Sequence, residues 1–540
     1  MRRRALLRLA GLGAGLGSTS ALGSGGLGRV GAQEGDGESD TEAFEPLGSL
    51  TVPGTKEGVV GPDGRYAYLA VTDGFAVVDL ADPATPELVF ENRSPLADRE
   101  NGPLRMIYDV KHDPATDLLA VVGPANPLGG DAFYGLVTYD VSDPTAPSRV
   151  AVHETSFFNH NCDVEDGVVY LCGNDGQRNP VVAVDGETGE RLGSWSIVEA
   201  DDRWGRVRPG NWVLHDLSVS DGVAYLAHWD AGTWMVDVSD PSSPSLLAKV
   251  RGRGPDTFLD MASDVARREN LEPPGNDHYA ARGPGNVVGI SVESWMARDS
   301  DGGPGSVHLY DVSDPAAATA VAELPAPPTE DATYGGTWTT SHNFEFDGDR
   351  LYTSWYGGGV KIHDVSDPAA PVELAHWRDE SEAWFWAAQA ATPDFFVGTS
   401  LGSGVSDTQG VSESARVYTF PTVEVAGTTP TATPTPAQTP TPGGNGTANA
   451  TVVPNTPTPV PTGTATPTPT ATATGTPTET RSPSPTATDT DTGTATATVT
   501  DPGTTAGEGA GLGLGVGALG LGLGLGLRRY LRGGEDDDGD

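Results

Sequence analysis

Five strings decide the fold: Val78-Asp79-Leu80-Ala81-Asp82-Pro83, Tyr139-Asp140-Val141-Ser142-Asp143-Pro144, Val236-Asp237-Val238-Ser239-Asp240-Pro241, Tyr310-Asp311-Val312-Ser313-Asp314-Pro315 and His363-Asp364-Val365-Ser366-Asp367-Pro368. A degenerate copy stands at Asp185-Gly186-Glu187-Thr188-Gly189. Each string closes one short apolar run and opens another, as at Pro86-Glu87-Leu88-Val89-Phe90. A further run precedes each, such as Tyr66-Ala67-Tyr68-Leu69-Ala70-Val71. Short runs rich in β-branched and aromatic residues, bounded by Asp, Gly and Pro, read as strands joined by turns. Pro breaks the strand ladder and presets a turn, and an Asp before it can bond its own backbone. A calcium loop is a poorer reading of these aspartates, because the clustered third and fourth ligands are missing.

Counting outward gives seven units, whose second strands begin near Tyr66, Leu118, Val168, Val223, Asn286, Arg350 and Asp394. The last unit has a third strand, Ala415–Phe420, and no fourth before the composition changes. A strand without its unit lies at the other end, residues 45–52. A ring closed by pairing that strand with the last unit accounts for both ends and removes exposed sheet edges. The expected fold is all-β: a seven-bladed β-propeller over residues 44–424, with the N-terminal strand completing the last blade. The repeats Phe75-Ala76-Val77-Val78-Asp79 and Thr233-Trp234-Met235-Val236-Asp237 resemble the LVIVD repeat of bacterial and archaeal surface propellers. That resemblance implies the fold and no particular reaction.

The flanks read as addresses. Arg3-Arg4 precedes an Ala/Gly/Leu run, and Val30-Gly31-Ala32 offers a small-residue cleavage site, so residues 1–32 resemble a twin-arginine export signal. Residues 427–505 are almost wholly Thr, Pro, Ala, Gly and Ser, too poor in large apolar groups to offset their ordering entropy. They read as a disordered stalk, with glycosylation sequons at Asn445 and Asn449. Residues 510–527 are uncharged and would span about 27 Å as a helix, enough for a weak membrane anchor. Arginines open the charged tail 528–540. The expected location is therefore the cell surface, exported and membrane-held.

Charge narrows the partners. The chain has 540 residues, with 74 Asp and Glu against 32 Lys and Arg, a formal net charge of −42. Nucleic acid is excluded, because phosphate binding needs clustered cations. Lysine occurs only at 56, 111, 249 and 361. An acidic, lysine-poor surface resembles that of haloarchaeal proteins, which stay hydrated in high salt.

Histidines carry the chemical signal. Ten positions before a matched second-strand residue stand His160, His215, His278 and His342 in four consecutive units. Gly58, Tyr108 and Trp386 take that place in the other three. One register on consecutive inner strands would bring the four imidazoles to one mouth of the channel. Asn161, Asp216, Asp277 and Asn343 adjoin them as candidate orienting groups. Two readings stay open: inherited structural histidines at a polar mouth that binds a protein, glycan or small-molecule ligand, or a four-histidine site for iron or copper serving oxidative chemistry. Whether the protein is an enzyme is undecided by sequence. Cys162 and Cys172 flank a hairpin turn, compatible with a cross-strand disulfide, or with Cys162, two residues from His160, as a thiolate ligand. His308 and His363 fall in third strands and read as structural. The long insert 251–286, with helical potential over 261–271, is expected to fold over the histidine mouth.

Overall fold

The computed structural model describes residues 44–297, 300–408 and 410–423. The export signal, stalk, anchor, charged tail and the sequons at Asn445 and Asn449 lie outside them. Among the described residues no helix is long and apolar enough to cross a membrane.

Seven four-stranded antiparallel sheets form a propeller. From blade 1 to blade 7 the inner strands are Gly58–Val60, Asp109–Asp113, Phe158–Glu165, Asp216–Ser220, Asp277–Arg282, Phe344–Asp347 and Phe385–Thr392. The second strands start at Tyr66, Leu118, Val168, Val223, Val287, Arg350 and Phe395. The N-terminal strand Gly48–Thr51 pairs antiparallel with the third strand of blade 7, Arg416–Pro421, from Gly48 opposite Thr419 to Thr51 opposite Arg416. The ring is thus closed by backbone hydrogen bonds, reinforced by Leu47 N–H to Thr419 O (2.8 Å) and Val52 N–H to Ala415 O (3.0 Å).

Alternation with period two sends each strand's apolar residues to both sheet faces, so the core is divided among the interfaces between blades. Tyr68, Phe75 and Val77 of blade 1 pack on Leu119, Val121 and Val137 of blade 2. Tyr352 and Ile362 of blade 6 pack on Phe396, Tyr418 and Phe420 of blade 7. Each such buried side chain contributes roughly 1.5–3 kcal/mol. Both aspartates of every repeat string work locally. Asp237 accepts from Ser239 N–H (3.0 Å) and Asp240 from Ser242 N–H (3.0 Å), and Asp79, Asp82, Asp311 and Asp314 repeat the pattern. These bonds fold the chain between third and outer strands, which is why the string recurs.

The cysteines are free and buried, which corrects the disulfide left open by sequence. Cys162 sits opposite Leu171, one position out of register with Cys172. The two thiols therefore leave opposite faces of the sheet, Cys162 toward Leu171 and Val169, Cys172 toward Tyr170 and Leu217.

Candidate functional site

The mouth is built where inner strands begin. His215 N–H bonds Ala227 O (2.9 Å) and His342 N–H bonds Ser354 O (3.0 Å), fixing both at one height. In blade 1 the residue making this bond is Lys56, to Ala70 O (2.9 Å). Gly58, the sequence candidate, lies two residues further along, because the blade 1 hairpin is two residues longer than that of blade 4. Glycine is required there for another reason: a Cβ would stand 2.6 Å from Thr399 Cγ2 of blade 7.

The register residues of blades 2 to 7 form a closed circle of aromatic rings. Centroid separations are 6.2 Å from Tyr108 to His160, 4.6 Å to His215, 4.3 Å to His278, 4.2 Å to His342 and 4.3 Å to Trp386. The circle closes over 5.8 Å from Trp386 back to Tyr108. Lys56 of blade 1 holds its Nζ 5.6 Å over Tyr108 and donates to Asp407 O (2.9 Å). The structure thus brings the four sequence-selected histidines together as one contiguous arc.

The arc favours neutral imidazoles. Burial depresses all four, His215 and His278 well below the ordinary value and His342 to about 3, and for these three the neighbouring histidines push the same way. Two are held by the backbone: His160 Nδ1 lies 2.7 Å from Ala125 O and His342 Nδ1 2.6 Å from Trp386 O. A neutral imidazole facing a carbonyl must carry its proton on that nitrogen, which leaves Nε2 with its lone pair. The Nδ1 atoms of the two central residues, His215 and His278, are buried without a hydrogen-bond partner. Asn161, Asp216, Asp277 and Asn343 do not orient the rings. Asn161 donates to His215 O (3.1 Å), Asp216 accepts from Leu217 N–H (2.7 Å), Asp277 accepts from Thr233 Oγ1 (2.6 Å) and Asn343 donates to Glu57 (2.8 Å).

One ligand-type residue here escapes the sequence reading. Glu293 follows the second strand of blade 5, and ligand atoms of His215, His278 and Glu293 all lie within 4.8 Å of one another. His278 Nε2 stands 4.0 Å from Glu293 Oε2. Burial raises the Glu293 carboxyl to about 7, opposed by the Tyr356 hydroxyl, which donates to Oε1 at 2.6 Å. Glu293 lies in a loop, so no strand register could reveal it.

Two bulky residues in left-handed conformation cover the arc. Trp229 (φ 47°) stacks on His215 at 4.8 Å, and Tyr356 (φ 47°) meets His342 edge-on at 4.8 Å. Such conformations cost about 1–3 kcal/mol and persist where surroundings enforce them. The insert supplies part of that enforcement: Trp229 Nε1 donates to Asn270 O (3.1 Å), and Trp295 N–H to Leu271 O (2.9 Å). Its helix, Ser263–Glu269, lies within the segment expected to cover the mouth. Trp295, Trp338 and Trp384 extend the aromatic cover, whereas Trp355 is a packing residue whose Nε1 bonds Thr353 Oγ1 (2.8 Å). His308 and His363 lie in third strands, as expected. One layer below the circle, buried Lys111 pairs with Asp109, near Glu57 and Asp216. Beside the circle, a cavity of about 450 Å3 is lined by Arg93, Arg105, Met106, Tyr108 and Leu128.

The model of the LVIVD repeat matches residues 62–92 and 214–251, in blades 1 and 4, so the chain is an all-β, seven-bladed propeller carrying LVIVD repeats. No curated protein matches the sequence. Among solved structures, the β-propeller domain of Cps50 (Swd1) from Myceliophteria thermophila is similar over 70% of this chain and 100% of that chain, at 8% identity and a TM-score of 0.45. A chain of a mitotic checkpoint complex is similar over 75% and 100%, at 9% identity and a TM-score of 0.42.

Proposed function

We propose that this protein is an exported, surface-held binding propeller of haloarchaeal type, and that the histidine mouth of its channel is a transition-metal site through which it binds its ligand. The observation that carries the metal is the arc of four imidazoles, successive centroids 4.2–4.6 Å apart, with the Nδ1 atoms of its two central members buried and unpartnered. A buried ring nitrogen without a hydrogen bond is costly, and coordination of an ion at the arc would offset that cost. Neutral imidazole suits iron, copper and zinc, and the aromatic cover keeps bulk water from competing. The paired arginines at residues 3–4 and the Thr/Pro-rich and uncharged segments near the C-terminus support export and surface retention. Twin-arginine export moves folded proteins, so a metal could be loaded before export.

Metal analysis of the purified full-length protein tests the reading. About one equivalent of iron, copper or zinc per chain is expected, and less than a tenth of it in His215→Ala with unchanged circular dichroism. A wild-type protein that stays metal-free after loading contradicts the metal and leaves the mouth as a polar site for an organic ligand.

A further inference from the structure

We infer that the metal centre is a two-histidine, one-carboxylate ferrous site formed by His215, His278 and Glu293, with His160 and His342 flanking it as positioning residues. The inference rests on the metal reading above and deepens it. Geometry carries it. Six ring centroids in a circle with sides of 4.2–6.2 Å stand roughly 5 Å from its centre, beyond the reach of nitrogens that must approach an ion to about 2.1 Å. An ion equidistant from all four histidines would have to sit near that centre. An ion displaced toward blades 4 and 5 meets His215, His278 and Glu293, whose ligand atoms already lie within 4.8 Å of one another. Ligands at about 2.1 Å in a facial arrangement are about 3 Å apart, so loading requires a modest inward movement of these three side chains.

The neighbours fit these roles. His160 and His342 have their rings pinned through Nδ1 to backbone carbonyls on either side of His215 and His278, whose Nδ1 atoms make no such bond, so the two central rings are the ones free to turn toward a displaced ion. The Tyr356 hydroxyl holds Oε1 of Glu293 at 2.6 Å, leaving Oε2 as the atom nearer His278, 4.0 Å from its Nε2. A ligating carboxylate is usually itself held by a hydrogen bond, the role Tyr356 fills here. Glu293 adds the one negative charge that a purely imidazole set lacks, and lies 7% exposed. Two imidazoles and a carboxylate on one face of an ion, with the other positions open, is the donor set that suits ferrous iron and lets it bind a small exogenous molecule. The far side of the circle is occupied by Trp386, Lys56 and Tyr108, none of them a histidine or a carboxylate.

The test is anaerobic titration of the full-length, metal-stripped protein with ferrous ion, followed by nitric oxide as the probe of open positions. One ferrous ion per chain and a high-spin iron–nitrosyl signal in electron paramagnetic resonance are expected. His278→Ala and Glu293→Ala should each weaken iron binding by at least tenfold, and His160→Ala by less than either. Glu293→Gln keeps the size and the Tyr356 contact, and should reproduce the loss if Glu293→Ala misfolds. Iron binding untouched by Glu293→Gln, or weakened as much by His160→Ala as by His278→Ala, overturns the triad in favour of a four-histidine centre while the metal reading stands. Bound iron that gives no nitrosyl signal overturns the open coordination and with it this inference. Failure of the wild type to bind ferrous ion overturns the inference, and failure to bind copper or zinc as well overturns the metal reading with it.

Discussion

His228 shows how burial alone sets a side chain's chemistry. It is fully buried behind the mouth, with Nδ1 3.2 Å from Trp212 O and Nε2 without a partner. Burial pulls its pKa down to about 4, against about 6.5 in the unfolded chain. Below pH 6.5 the unfolded state takes up a proton that the folded state refuses until about pH 4, so stability falls as pH drops through that window. Between pH 7.5 and 5 this residue should remove about 2 kcal/mol of stability. Urea denaturation of His228→Gln at the two pH values should show a smaller loss than the wild type. Equal losses would mean that His228 is already protonated in the folded protein. The residue scale is also where reading from sequence stops. Glu293 has no strand register, and Trp229 and Tyr356 cover the arc through their own left-handed backbone conformation. The faces taken by Cys162 and Cys172 depend on a one-residue offset between strands that spacing alone leaves free.

At the scale of elements, legibility was high because most strands sit between two punctuation marks. Asp-Pro strings end five of the seven third strands, and Asp-Gly turns such as Asp166-Gly167 and Asp221-Gly222 end four of the inner ones. Seven second strands could therefore be placed within one residue of their starts. The register broke in blade 1, where the longer hairpin moved the counted position from Lys56 to Gly58. The inferred closure has a direct consequence. A chain beginning at residue 53 loses the strand Gly48–Thr51 and buried Val52, and leaves Arg416–Pro421 as an unpaired edge. It should melt at least 5 °C below a chain beginning at residue 33 and aggregate on heating, as exposed edges do. Equal melting temperatures would show that blade 7 needs no fourth strand.

For the whole molecule, the flanking segments carry the proposed location and the propeller carries the proposed site. Deleting the residues after Gly507 should move the protein from the cell pellet to the medium, read by immunoblot of both fractions. Retention on the cells would place the anchor elsewhere. The central claim is the metal at the mouth, and anomalous diffraction from crystals loaded with ferrous ion under argon, collected on both sides of the iron absorption edge, tests it most directly. One iron peak per chain is expected, bounded by His215, His278 and Glu293 and displaced from the channel axis toward blades 4 and 5. No peak at the mouth, or iron held only at the surface aspartates of the repeat turns, would contradict it.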